Sequence, residues 1–63
     1  MKDITGRVYQ VDDFIAGGYS YFTYLVLQVE ANHIVIKGTE SGANYTIQQN
    51  GNIFRILEPE ELI

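Results

Sequence analysis

Apolar residues in this chain recur at alternate positions, and short polar or glycine-rich breaks separate the runs. Runs at 6–11, 19–29, 33–37, 44–49 and 53–57 predict five β-strands, because successive strand side chains point to opposite faces. Gly17-Gly18, Glu30-Ala31-Asn32, Glu40-Ser41-Gly42 and Asn50-Gly51 interrupt them, and Gly or Asn supplies the positive φ that tight turns need. Asn50-Gly51 is the sharpest break: it suits either a type I′ hairpin turn or a one-turn helical link of the kind that joins the last two strands of small barrels. No stretch of about ten residues keeps a 3.6-residue period. Helix is therefore confined to at most one turn in the tail, where Pro59 suits a first helical position and Glu60 and Glu61 favour a helix N-terminus. The pattern predicts one all-β domain over residues 1–63.

The second run is apolar on both sides. Tyr21, Leu25, Leu27 and Val29 share one face, and Phe22, Tyr24 and Val26 share the other. We assign the leucine face to the core. A half-solvated strand would carry polar residues on its second face, so Phe22, Tyr24 and Val26 are expected to meet a barrel's far wall, another chain or a ligand. The later strands sort more plainly. Ile34 and Ile36 oppose His33, Val35 and Lys37; Tyr45 and Ile47 oppose Asn44, Thr46 and Gln48; Phe54 and Ile56 are core residues on either side of Arg55, whose stem covers apolar surface. Val8 is the first strand's core residue, with Val11 joining it through a bulge. The expected buried set is thus Leu25, Leu27, Ile34, Ile36, Ile47 and Ile56.

Five short strands, the opening Gly6-Arg7-Val8-Tyr9-Gln10-Val11, and a closing Phe54-Arg55-Ile56-Leu57 followed by Glu60-Glu61-Leu62 resemble the Src-homology-3-like (SH3-like) barrels of small bacterial and phage proteins. The resemblance spans most of the chain. It implies a small five-stranded antiparallel barrel and an accessory protein of a bacterium, phage or mobile element. Polyproline recognition is not carried over, because the eukaryotic peptide-binding members use a paired Trp and this chain has no Trp. An oligonucleotide-binding fold fits less well, since residues 38–44 leave no room for a helix between the third and fourth strands.

Composition narrows the function classes. A chain of 63 residues buries only about 60% of its unfolded surface, and with no cysteine it has neither a disulfide staple nor a thiolate metal site. The start has no apolar signal core and no run approaches the roughly 18 residues of a membrane span, so a cytoplasmic protein with no membrane partner is expected. The formal charge is −4 and the four cations, Lys2, Arg7, Lys37 and Arg55, are scattered, which disfavours binding to a phosphate backbone.

Candidate chemistry is sparse. The single imidazole, His33, follows a turn and faces away from Ile34, and no second histidine or cysteine stands ready to activate Ser20, Thr23 or Ser41. Asp12-Asp13 are adjacent and point apart on extended backbone, so a solvated loop is favoured over a hard-cation site. Gly17-Gly18 lacks the Lys and helix of a phosphate-cradling loop, and Asn44-Tyr45-Thr46 matches a glycosylation sequon without a secretory signal. No cofactor, metal or catalytic residue is implied. The aromatics are the remaining lead: five Tyr and three Phe combine broad apolar bodies with polar tips suited to recognition. The expected function is a non-enzymatic protein-interaction module binding a protein partner or a second copy of itself. Phe22, Tyr24 and Val26 form its contact row, bordered by Tyr9 and Val35. The alternatives are a nucleic-acid-binding small barrel or a structural subunit of a larger assembly.

Overall fold

The computed structural model describes residues 1–17 and 22–62. Tyr19, Ser20 and Tyr21, which begin the second predicted strand, lie outside the described residues, as does Gly18 of the first glycine break. Five strands, β1 (Phe14–Gly17), β2 (Thr23–Val29), β3 (His33–Gly38), β4 (Asn44–Gln48) and β5 (Phe54–Ile56), pair antiparallel in one sheet of order β4-β3-β2-β1-β5. The protein is all-β, as the alternation predicts. Its helical segments among the described residues are two 3-10 turns, Gln49–Gly51 and Pro59–Leu62. The first of these resolves the two readings of Asn50-Gly51 in favour of the one-turn link, with the Asn52 N–H donating to Gln49 O at 3.3 Å. The strand ladders leave the sheet open, with β4 and β5 as its edges.

Register builds the core. Residues directly opposite on antiparallel strands share a face, and the pairing sets Ile56, Ile15 and Tyr24 in one row. Val26, Ile36 and Tyr45 form a second row, and Val29, Ile34 and Ile47 a third. Ile15, Val26, Ile34 and Ile36 are wholly buried, Phe54 and Ile56 nearly so, and Tyr24, Val29 and Ile47 pack against them. Ile34, Ile36 and Ile56 thus sit where the alternation places them, and Ile47 is half-buried.

The predicted facing of β2 is reversed. Val26 is a core residue, Leu27 is 38% exposed, and Leu25 is half-buried opposite Phe14 and Lys37. Pairing of Tyr24 with Ile15 and of Val26 with Ile36 sets this facing, and a register shift follows between Val26 and Gln28. A bulge adds one residue to the strand and flips the alternation beyond it. Val29 therefore returns to the Val26 face instead of sharing a side with Leu25 and Leu27.

The first predicted strand is also corrected. Around residues 6–11 the chain makes one isolated bridge, Lys2 to Val8, and Val8 and Val11 are both exposed. The strand that pairs with β2 and β5 lies later, at Phe14–Gly17. Between them the chain turns: Asp13 accepts the Gln10 N–H through its carboxylate at 2.8 Å, and Asp12 adopts a φ of 75°, a conformation Asp tolerates better than most residues. Continuous strand is broken there by local side-chain bonding, and Tyr9 rather than Val8 enters the core.

The N-terminal segment is latched to the far end of the sequence. Asp3 is buried, and its Oδ1 accepts the Thr5 N–H, the Thr5 hydroxyl and the Arg7 N–H, while Oδ2 accepts the Ile56 N–H at 2.8 Å. Burial by itself pushes this carboxyl upward, but the four hydrogen bonds together outweigh it and hold the pKa below its ordinary 3.8. Asn52 completes the latch by donating to Lys2 O at 2.7 Å. Arg7 pairs with Glu58, and Arg55 with Glu61 at 2.9 Å, both on the surface.

Candidate functional site

Five residues were singled out by sequence as a partner-binding set, and the fold separates them. Val26 is in the core at 0% exposure. Tyr9 is also buried, at 1%, with its hydroxyl donating to Asn52 Oδ1 at 2.8 Å and lying 3.3 Å from Phe54 O. Burial raises the Tyr9 pKa to about 12, partly opposed by the Asn52 hydrogen bond and reinforced by the charge of Asp3. Val35 is half-buried on the opposite face of the sheet, across from Gln28 and Thr46. Val26 is therefore corrected from a surface contact to a packing residue because the facing of β2 is reversed, and Tyr9 because it enters the core in place of Val8.

Phe22 and Tyr24 are brought together, with partners that sequence did not assign to the site. They line a cleft of about 390 Å³ with Thr23, Tyr45 and the β3-to-β4 connection, Gly38 to Ser41. Tyr24 comes from the start of β2 and Tyr45 from β4, and the register places both on the core side of the sheet. Their rings meet edge to face with centroids 6.0 Å apart, and Tyr24 meets Phe54 in the same way at 5.4 Å. Such a geometry sets the positive ring edge against the negative face of its neighbour, which fixes the ring angles more firmly than packing alone. Phe22 is 55% exposed and Tyr45 47%. The cleft floor is thus a half-covered extension of the core.

The rim is polar and held in place. Thr39 donates its N–H to Thr23 O at 3.2 Å, its hydroxyl lies 2.8 Å from that of Thr23, and Ser41 Oγ accepts the Ala43 N–H at 3.2 Å. The connection closes with Gly42 N–H donating to Gly38 O, and Gly42 has a φ of 72°, where a side chain is strained. Glu40 is the acidic member of the rim. The lining therefore combines three aromatic rings, three hydroxyl side chains and one carboxylate, a composition suited to holding an apolar group with a cation beside it.

Tyr45, Thr39 and Glu40 were missed because sequence spacing places them more than a dozen residues from Phe22. Tyr45 had one signal: it alternates with Ile47, so a strand that buries Ile47 directs Tyr45 to the same side. Elsewhere, His33 is half-buried with Nδ1 3.1 Å from Asn32 Oδ1. Among the described residues, no group of three His, Asp or Glu side chains is placed to hold a metal ion, and no helix is long and apolar enough to cross a membrane. No protein-family model, curated protein or solved structure matches this chain.

Proposed function

We propose that this protein is a non-enzymatic protein-interaction module that binds an extended segment of a partner protein in the cleft between Phe22, Tyr24 and Tyr45. The observation that carries this reading is the cleft itself: an aromatic floor continuous with the core, rimmed by Thr23, Thr39, Ser41 and Glu40. Hot spots in protein contacts favour aromatic anchors of this kind, with the surrounding polar rim excluding water. The partner segment carries an apolar anchor for the rings and a neighbouring Lys or Arg for Glu40, in keeping with a chain of net charge −4. The strand order with β5 beside β1, and the one-turn link between β4 and β5, support an SH3-like domain as the scaffold.

Selection from a random peptide display library tests the reading. Enriched peptides are expected to pair an apolar residue with a basic one, and Tyr45→Ala is expected to weaken their binding about tenfold or more. Tyr45 is half exposed, so its loss leaves the fold intact. Glu40→Lys should remove the preference for the basic residue while keeping the apolar one. Mixed-sequence DNA should not bind at physiological salt, because the cations are scattered. Enrichment of nothing, or of peptides indifferent to both substitutions, would sink the proposal.

A further inference from the structure

The two edges of the sheet are treated differently. On β5 the outward backbone groups are taken: Phe54 N–H donates to Asn52 Oδ1, Phe54 O accepts from the Ile4 N–H, and Ile56 N–H donates to Asp3 Oδ2. The β4 edge has no such cover among the described residues. Gly38 N–H donates to Ala43 O and Gln49 N–H to Asn32 O, at the two ends of the β3 and β4 ladder. Hydrogen-bonded pairs alternate along an antiparallel ladder, so Tyr45 and Ile47 turn their backbone groups to β3. Asn44, Thr46 and Gln48 turn theirs to the open edge.

Natural proteins blunt an open edge with charge, proline or a bulge. This one has none of these: residues 41–54 carry no charged side chain and no proline, in a chain with twelve Asp, Glu, Lys and Arg residues. We propose that β4 pairs antiparallel with β4 of a second copy, about a two-fold axis through Thr46, to make a continuous sheet across two chains. The strand is complementary to itself in that register. Thr46 faces its own copy and Asn44 faces Gln48, each pair exchanging backbone hydrogen bonds, while Tyr45 faces Ile47 and extends the apolar side of the sheet. A second copy is favoured over a charged partner segment because this edge carries no charge to pair with one, and it is where two chains of −4 each meet without opposing like charges. The pairing shares Tyr45 with the cleft, but the Thr46 side chain lies on the opposite face of the sheet, so a change at Thr46 tests the edge without altering the cleft lining.

Sedimentation across a concentration series up to the millimolar range tests it. The apparent mass is expected to rise from 7.2 kDa towards twice that. Thr46→Lys sets two ammonium groups against each other at the axis, and should raise the dimer Kd about tenfold or more without moving the melting temperature measured at low, monomeric concentration. The absence of cysteine allows a register check. Thr46→Cys should cross-link to its own copy on mild oxidation, because opposed strand residues lie within disulfide reach, whereas Asn44→Cys should not. A chain that stays at 7.2 kDa throughout, a dimer that Thr46→Lys leaves unchanged, or equal cross-linking at both positions would overturn the proposal. Peptide binding by Thr46→Lys is expected to persist, so failure here and failure of the cleft reading are told apart.

Discussion

Single side chains distinguish the two possible facings of β2. Ile36 is wholly buried opposite Val26, so Ile36→Ala should cost about 2–5 kcal/mol in a denaturant melt, through lost burial and the cavity left behind. Leu27 is 38% exposed at the bulge, and Leu27→Ala should cost under about 1 kcal/mol. A loss at Leu27 as large as that at Ile36 would restore the leucine face to the core. Asp3 sets the behaviour in acid. Its folded pKa lies below the ordinary 3.8, so its contribution is present above that value and is lost as pH falls through the folded pKa. Asp3→Asn keeps one acceptor oxygen and turns its NH2 towards either the Ile56 N–H or the Thr5 and Arg7 N–H groups, all of which need acceptors. It should destabilise the protein by about 2–3 kcal/mol at pH 7 and by progressively less in acid, as measured by urea melts between pH 2 and pH 7. Tyr9 acts at the alkaline end. Its pKa is raised from 10.0 to about 12, so its contribution is full below pH 10 and is lost as pH rises towards 12. Tyr9→Phe should remove that alkaline slope.

At the scale of elements, the contact between β1 and β5 depends on a missing side chain. Gly17 pairs with Phe54, and a Cβ at Gly17 would stand 2.5 Å from the Phe54 ring. The ring lies over Gly17 while meeting Tyr24 edge to face, so the glycine positions one wall of the aromatic cluster beneath the cleft. Gly17→Ala should cost about 1–3 kcal/mol by overpacking. In a double-mutant cycle, Phe54→Leu should absorb part of that cost because the shorter side chain vacates the space; additive losses would show that the ring is not the obstacle. The closing turn has a simpler logic. Glu61 reaches back to accept the Glu58 N–H at 2.7 Å, half of a capping box around Pro59–Leu62, and that hydrogen bond followed by the Arg55 contact lowers its pKa.

For the molecule as a whole, the N-terminal segment is as much a part of the fold as the sheet. Asp3 reaches Ile56, Asn52 reaches Lys2, and Tyr9 fills the core below Phe54. A small domain has little stability to spare, of the order of 5 kcal/mol at the low end. Deleting residues 1–9 removes a buried aromatic and takes away the partners of Phe54 O and the Ile56 N–H, Ile4 and Asp3. The truncated chain should lose its near-ultraviolet circular dichroism and dispersed amide spectrum at 25 °C, whereas a well-dispersed spectrum would show that the sheet stands alone. The surface pairs Arg7 with Glu58 and Arg55 with Glu61 are exposed and contribute little by comparison.

Local chemistry determined the all-β class, the positions of β3, β4 and β5, the closing 3-10 turn, and the burial of Ile34, Ile36, Phe54 and Ile56, while it left the turn at Asn50-Gly51 as one of two readings. Alternation and turn residues act over a few positions, so each of these features is written in consecutive residues. Tertiary structure alone decided which face of β2 is buried. Leu25 and Leu27 are as apolar as Tyr24 and Val26, and only the pairing of Val26 with Ile36 and Tyr24 with Ile15 chooses between them. It likewise moved β1 from residues 6–11 to Phe14–Gly17, where a ladder on both sides supplies hydrogen bonds that the earlier segment finds in side chains. The cleft was half legible: Phe22 and Tyr24 stand together in sequence, but Tyr45 joins them only because β3 pairs β2 on one side and β4 on the other. A periodic pattern says which residues share a face; the neighbouring strand decides which face is inside.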